Sequence, residues 1–271
     1  MRLIKGIALW LVAVAITLVS AWWQRTSGPT YPVRTDVSLG GTRHEVVLER
    51  SHGGGDDQPI RLVVPDAGVT GEVAWRRFPT AEPWTVEALR REGDALLGRL
   101  PNQPPAGKLE YQVRLRRDGE TAVAPAQPAV TRFKGAVPAA VLVPHILFMF
   151  VAMLVSNRAG LEALVGGPGT ARLAWVTFGL LVLGGFVLGP AVQKYAFGEW
   201  WAGVPFGWDL TDNKTLLAGI AWLVALLRLR GGRSARVAVV VAALVTIAVF
   251  AIPHSTWGSE YQWDATPAGT R

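Results

Sequence analysis

The chain contains two kinds of apolar pattern. Residues 31–133 alternate apolar and polar positions, whereas the stretches on either side contain long, nearly unbroken apolar runs. Because a helix rises ~1.5 Å per residue and a bilayer core is about 30 Å thick, runs approaching 20 residues predict membrane-spanning helices. The fourth run is short, and Lys214 and Arg228 are expected to reach the membrane surfaces from its two ends. We predict five spans, at residues 3–23, 137–156, 173–192, 215–227 and 237–252.

The alternating region predicts β-structure. Turn-forming residues, including Gly40-Gly41 and Asp118-Gly119, separate its apolar runs. Short strands at this spacing predict an antiparallel sandwich of two sheets. The predicted strands lie at residues 45–48, 60–64, 72–78, 85–89, 95–100 and 109–115.

Part of the same region resembles a known fold family. One predicted strand ends near Trp75, a "W-x-V-x-x-L" strand begins at Trp84, and a Gly93-Asp94 hairpin follows. The segment "P-A-G-K-L-E-Y-x-V" then places Tyr111 where such folds often have a corner tyrosine. This order resembles fibronectin type III and related immunoglobulin-like domains. The resemblance implies an all-β immunoglobulin-like sandwich over about residues 31–133 and implies no activity.

The first apolar run has two interpretations. Val19-Ser20-Ala21 provides the small residues that a signal peptidase requires, so the run could be a cleaved signal peptide. Trp22 and Trp23 instead resemble the aromatic residues that anchor a helix at the membrane surface. We favour a retained N-terminal anchor, residues 1–24.

The composition indicates a membrane protein with a soluble domain. Half of the residues are hydrophobic (50%) and only 17% are charged. The absence of cysteine excludes disulfides, thiolate metal sites and cysteine nucleophiles. A net charge of +7 is compatible with nucleic-acid binding, but many arginines flank the predicted spans, where topology requires them. No nucleic-acid partner is therefore expected.

The distribution of positive residues predicts the orientation. Lysine and arginine in short connections favour the cytoplasmic side. This rule predicts a cytoplasmic N-terminus, with the sandwich (31–133), the 193–214 loop and the C-terminal tail (257–271) on the periplasmic side of a bacterial inner membrane. The predicted cytoplasmic residues are Arg2, Lys5, Arg158, Arg172, Arg228, Arg230, Arg233 and Arg236. The tryptophans predicted to form an outer aromatic belt are Trp22, Trp23, Trp200, Trp201, Trp208, Trp257 and Trp263.

Two histidines are the strongest candidates for chemistry. His145 lies inside a predicted span and His254 follows the last one, both towards the outer side. Facing histidines in a helical bundle can bind haem or a metal ion, although these two are predicted to lie at different depths. A hydrogen-bonded structural role is the alternative for each. We also predict a polar outer pocket, whose members are His145, Lys194, Glu199, Asp209, Asp212 and His254.

The 193–214 loop also has a purely structural interpretation. Thr211 or Asp212 could cap the helix that follows, and the tryptophans could lie among lipid headgroups. The segments GPAVQKYAFG and IPHSTWGSE, on either side of this region, resemble an uncharacterised family of bacterial integral membrane proteins. That resemblance covers about residues 137–260 and implies a helical bundle without implying an activity.

These observations predict an all-α membrane bundle of four helices (137–256) plus the anchor helix, joined to the periplasmic sandwich. The expected function is non-catalytic binding or assembly at the periplasmic face, with membrane lipid and a protein partner and without a cofactor. The alternative is a membrane redox or metal- or haem-handling protein that uses His145 and His254. A small-solute transporter is a weaker alternative, because inverted repeats and paired broken helices are not evident.

Overall fold

The computed structural model describes residues 2–229, 233–254, 256, 258 and 261–263. Arg230 and Trp257, which entered the predicted arginine cluster and aromatic belt, lie outside the described residues. The chain forms two compact units. A helical unit consists of Met1–Pro29 and Val137–Gly258, and a β-sheet unit consists of Thr30–Ala136 and Ser259–Arg271.

The β-sheet unit contains ten strands among the described residues. They are β1 (Val33–Leu39), β2 (Thr42–Leu48), β3 (Ser51–Gly53), β4 (Gln58–Val63), β5 (Thr70–Arg77), β6 (Thr85–Ala88), β7 (Arg90–Glu92), β8 (Ala95–Leu100), β9 (Lys108–Arg117) and β10 (Glu120–Lys134). Five strands form one sheet in the order β3-β10-β9-β5-β6, three form another in the order β4-β8-β7, and β1 and β2 form a hairpin. All pairs are antiparallel except β3 with β10, which are parallel.

The alternation of apolar and polar residues along each strand determines which side chains enter the core of this unit. In β9, Leu109, Tyr111, Val113 and Leu115 are buried, and the residues between them point away from the core. The predicted turns at Gly40-Gly41 and Asp118-Gly119 are confirmed, since all four residues have positive φ angles, the conformation that tight hairpins favour. The sequence prediction omitted β1, β3, β7 and β10.

Tyr111 is buried, but its contact differs from that of a typical corner tyrosine. Its hydroxyl donates to the backbone oxygen of Glu49 at 2.7 Å, 62 residues upstream in the sequence. A tyrosine corner reaches backbone only a few residues upstream. Tyr111 therefore holds the turn between β2 and β3 instead of its own corner.

The helical unit contains six α-helices among its described residues. They are α1 (Arg2–Ser27), α2 (Ala139–Leu164), α3 (Thr170–Leu181), α4 (Gly189–Phe197), α5 (Leu210–Leu227) and α6 (Arg233–Ala251). A π-helical segment, Val182–Leu188, joins α3 to α4. Among the described residues, four helical stretches are long and apolar enough to cross a membrane, and Ala235–Ala251 is a shorter apolar helix. These features are those of an integral membrane protein.

Each predicted span belongs to a longer helical stretch, and two of the extensions bury charged residues. α2 continues to Leu164 and buries Arg158 and Glu162, which form an ion pair at 2.7 Å. α5 begins at Leu210, so Lys214 lies within the helix and is only 6% exposed. The expectation that Lys214 reaches the membrane surface is therefore wrong. Pairing and hydrogen bonding allow these charged groups to be buried in helices.

The first helix packs along α2 and α6. Thr17 accepts a hydrogen bond from the side chain of Asn157 at 3.0 Å, and Gln24 donates to the backbone of Phe250 at 2.9 Å. Trp10 lies 5.5 Å from the guanidinium of Arg158. Trp10, Thr17 and Gln24 are seven residues apart and therefore lie on one face of α1, the face that contacts α2 and α6.

Candidate functional site at the loop end of the helical unit

The 198–209 loop connects α4 to α5, and the first turn of α5 organises it. Asp209 is the N-cap of α5, and its carboxylate accepts hydrogen bonds from the N–H groups of Thr211 at 2.8 Å and Asp212 at 3.2 Å. A carboxylate at this position satisfies free backbone donors and suits the positive end of the helix dipole. The prediction that Thr211 or Asp212 forms the cap is therefore wrong.

Asp212 and Asn213 hold the loop instead. The Asp212 carboxylate accepts from the N–H of Ala202 at 2.6 Å, and the Asn213 side-chain oxygen accepts from the N–H of Val204 at 2.8 Å. Gly203 lies between these two contacts, where a Cβ atom would be 2.7 Å from the Asp212 Cβ. The loop backbone is therefore fixed directly against the helix.

Aromatic stacking attaches the loop to the bundle as well. The rings of Trp201 and Phe186 stack with their centroids 6.0 Å apart, and the indole of Trp201 donates to the backbone oxygen of Val204 at 3.1 Å. Phe186 in turn packs closely against Gly219 of α5. In contrast, Phe206 and Trp208 project outwards and are 81% and 87% exposed.

His145 is half-buried against the π-helical segment. Its Nδ1 atom lies 2.8 Å from the backbone oxygen of Gly184, which also accepts from the N–H of Gly189. Since a carbonyl oxygen can only accept, Nδ1 carries the proton and Nε2 keeps its lone pair in the neutral ring. π-helical segments often occur at functional sites.

Lys214 and His254 lie at the same end of the unit. The ammonium of Lys214 donates to the backbone oxygen of Ile252 at 2.6 Å. His254 follows α6 and is exposed. His254 therefore lies near the end of α6 that Lys214 contacts through Ile252.

The remaining predicted pocket residues occupy different surroundings. Lys194 is exposed and donates to the backbone oxygen of Gly198 at 2.6 Å, at the C-terminal end of its own helix. Glu199 is exposed in the loop. Asp209 and Asp212 direct their carboxylates to backbone N–H groups, as described above. The six-residue polar pocket stays a prediction.

One further polar residue at this end had no predicted role. Gln193 in α4 is 8% exposed, and its side-chain nitrogen has no hydrogen-bond partner among the described residues. It lies four residues after Gly189, whose Cβ position would be 3.8 Å from the His145 ring, and residues four apart share a helix face. We call His145, Gln193, Lys214 and His254 the loop-end site.

Within the part of the chain that the structure describes, no three histidine, aspartate or glutamate side chains are grouped so that they could hold a metal ion. Comparison with protein-family models, curated proteins and solved structures gives no match for this chain. The apolar helices and the sheets by themselves define the class as an integral membrane protein with a β-sheet unit.

Proposed function

We propose that this protein is a non-catalytic component of a bacterial inner membrane that binds a protein partner at the periplasmic face. Binding involves the β-sheet unit and the 198–209 loop. The single observation that carries this proposal is the loop itself, in which a fixed backbone presents two highly exposed aromatic side chains.

The loop exposes two of its aromatic side chains while its backbone is held against α5. Its backbone is held by Asp212 and Asn213, whereas Phe206 and Trp208 are 81% and 87% exposed. Large aromatic side chains held in a defined position contribute strongly to protein interfaces, because little conformational entropy is lost when they become buried. A simple connection between two helices needs neither feature.

The proposed fold of the β-sheet unit is an immunoglobulin-like sandwich. The strand orders β3-β10-β9-β5-β6 and β4-β8-β7 support it, as does the parallel pairing of the short β3 with the last strand. The inward residues of both sheets contribute to a common hydrophobic core. Domains of this architecture frequently serve in recognition, although the fold by itself assigns no activity.

The proposed orientation is supported by the arginines, which occur in the connections predicted to be cytoplasmic. Trp263, which was predicted to belong to the outer aromatic belt, packs within the β-sheet unit, where its indole donates to the Phe78 backbone at 3.0 Å and lies 4.9 Å from the Arg77 guanidinium.

Because the chain has no cysteine, single-cysteine variants test the orientation without background labelling. Asn102→Cys and Trp208→Cys should react with a membrane-impermeant maleimide in intact spheroplasts. Arg172→Cys, in the exposed first turn of α3, should react only after permeabilisation. The opposite pattern would contradict the proposed orientation.

Partner binding is tested by comparing exposed aromatic residues at two places. Trp208→Ser and Phe206→Ser should shift the protein from a larger native complex to a smaller one, measured by sedimentation in mild detergent. Trp175→Ser on the exterior of α3 is the control, since Trp175 is also well exposed, at 60%. Equal behaviour of all three variants, or a wild-type protein without any partner, would refute the proposal.

A redox or haem-handling function is the second candidate, and one observation favours it. The hydrogen bond from Nδ1 of His145 to Gly184 leaves Nε2 available, which is the arrangement of a metal-ligating histidine held by a backbone carbonyl. Haem binding by His145 and His254 would give a Soret band in the purified protein, and His145→Ala would abolish it. A spectrum without that band would exclude haem in the purified protein.

A further inference from the structure

The β-sheet unit contains a pocket of about 400 Å³. Three segments line it: residues 54–55 after β3, residues 102–105 after β8, and residues 134–136 at the end of β10 and just beyond. All three belong to the β-sheet unit. The first and last segments are held together, because β3 pairs with the end of β10 and the Gly54 N–H donates to the backbone oxygen of Lys134 at 3.0 Å.

Lys134 is the one charged residue among those that line the pocket. Its side chain lies along β3, since a Cβ atom on Gly53 would be 3.2 Å from the Lys134 Cε atom. Lys134 is exposed, and its ammonium has no ion-pair or hydrogen-bond partner among the described residues. The cation is therefore available to a ligand in the pocket.

Neutral amides and proline rings provide the rest of the lining between β8 and β9. The side-chain nitrogen of Gln103 donates to the backbone oxygen of Pro101 at 2.9 Å, which leaves one N–H group and the amide oxygen for a ligand. Asn102 is exposed and has a second side-chain amide. Such a lining suits a ligand that combines a negative charge with uncharged hydroxyl groups.

Two carboxylates occur near the pocket without lining it. The Asp57 carboxylate accepts from the N–H of Asn102 at 2.9 Å and lies 3.5 Å from the guanidinium of Arg99, so its charge is already opposed. Asp56 is exposed, and solvent ions screen exposed charges. The charge within the pocket is therefore that of Lys134, which attracts an anion.

The chain itself keeps this pocket close to the membrane. Ala136, in the pocket wall, precedes the first residue of α2, Ala139, by three positions, which span at most about 11 Å. α2 has 26 residues and is therefore ~39 Å long, so it extends beyond a hydrocarbon core of about 30 Å into the headgroup regions. The phosphates of the lipid headgroups are then within reach of Lys134.

We infer that this pocket binds the phosphate of an anionic phospholipid headgroup. Lys134 contacts the phosphate, and residues 102–103 contact the headgroup hydroxyls. Lysine is a common phosphate ligand in proteins, and lysines beside a membrane helix favour anionic lipids. The inference concerns a site other than the aromatic loop and does not depend on the proposed protein partner.

The test measures the binding of single lipid molecules to the full-length protein in mild detergent by native mass spectrometry. The probes are dioctanoyl-phosphatidylglycerol, dioctanoylglycerol, which lacks the phosphate, and glycerol 3-phosphate, which lacks the acyl chains. Phosphatidylglycerol should saturate one site. Dioctanoylglycerol should bind at least about tenfold more weakly, because the charge-assisted contact is lost. Glycerol 3-phosphate should also bind at least about tenfold more weakly, because the micelle does not concentrate it beside the pocket.

Three variants locate the site. Lys134→Met should weaken phosphatidylglycerol binding by about fivefold. Gly55→Leu retains every charge and adds a side chain where a Cβ atom would have no neighbour within 4 Å, so it should fold normally and weaken binding by about threefold or more by occupying the pocket. Lys194→Met is the matched control: Lys194 is also an exposed lysine but lies outside the pocket, and its loss should leave the affinity within about twofold.

Four results would overturn the inference. Equal affinity for phosphatidylglycerol and dioctanoylglycerol would show that the phosphate is not recognised. Glycerol 3-phosphate binding as tightly as phosphatidylglycerol would indicate a soluble phosphate ester as the ligand. Unchanged affinity in either Lys134→Met or Gly55→Leu would place any lipid elsewhere. An equal loss in Lys194→Met and Lys134→Met would show a general attraction between lysines and anionic lipid.

Discussion

Replacing Glu162 by alanine would leave the guanidinium of Arg158 buried in α2 without its carboxylate. The two side chains are 10% and 8% exposed and are joined at 2.7 Å. The other carboxylate oxygen of Glu162 accepts from the N–H of Gly169 at 3.0 Å, at the start of α3. One substitution therefore removes an ion pair and a helix-capping contact together.

The expected loss of stability is large. Removing one partner of a buried ion pair costs about 3–5 kcal/mol, and a lost hydrogen bond to backbone adds about 1 kcal/mol. We therefore expect Glu162→Ala to destabilise the helical unit by roughly 4–6 kcal/mol. The exposed pair Arg34–Glu45 in the β-sheet unit, with side chains 57% and 58% exposed, provides a contrast. Glu45→Ala should cost less than about 1 kcal/mol.

The assay is reversible unfolding in mixed micelles, followed by tryptophan fluorescence. A double variant, Arg158→Leu with Glu162→Leu, separates charge burial from lost packing, because it removes both charges and retains apolar volume. It should be more stable than Glu162→Ala, since no unpaired charge remains. A cost below about 1 kcal/mol for Glu162→Ala, or a double variant less stable than the single one, would refute this reasoning.

Three further changes test other parts of the structure. Gly203→Ala should disorder the loop and increase its proteolysis, because the new Cβ would lie 2.7 Å from the Asp212 Cβ; an unchanged cleavage rate would contradict the loop contacts. Tyr111→Phe should destabilise the protein by about 1–2 kcal/mol in denaturant, through loss of the bond to Glu49, and an equally stable variant would be inconsistent with that bond. Burial, followed by the charge of Glu49, raises the pKa of Tyr111, so the stability that its hydroxyl provides is complete below about pH 10 and is lost at higher pH, a dependence that Tyr111→Phe should lack. Trp263→Ala should free the C-terminal segment from the β-sheet unit and increase its proteolysis, whereas unchanged protection would argue against the observed packing.

Regular periodicity made much of the fold predictable. β9 alternates buried and outward residues over its whole length, and the turn at Asp118-Gly119 has the positive φ angles that its residues favour. β3 was missed because three residues are too few to show a period, and its parallel pairing with β10 depends on contacts distant in sequence. Local pattern cannot contain such information.

The ends of the membrane helices were harder to predict. Arg158 and Lys214 were interpreted as marking the membrane surface, because charged residues are costly within a bilayer. In the structure, Arg158 is paired with Glu162, and Lys214 donates to Ile252. Local hydropathy does not reveal either partner, Glu162 for Arg158 or the Ile252 backbone for Lys214. A prediction from hydropathy alone therefore ends each span before the helix ends.

The candidate site was predicted only in part for a related reason. His145 and His254 were recognisable as unusual residues in an apolar context, but the orientation of Gln193 was not predictable. A π-helical segment contains extra residues per turn and so rotates every residue that follows relative to a regular helix. The glycines and Pro190 near this segment are the signal that could have indicated an irregular helix, because proline removes a backbone donor.

The first turn of α5 contacts both the aromatic loop and the end of α6. Successive residues of a helix point in directions about 100° apart, so neighbouring positions can serve different surroundings. Asp212 and Asn213 accordingly hold the aromatic loop, while Lys214, the next residue, extends to Ile252 and the loop-end site. A partner that displaces the loop would therefore strain the turn that positions Lys214.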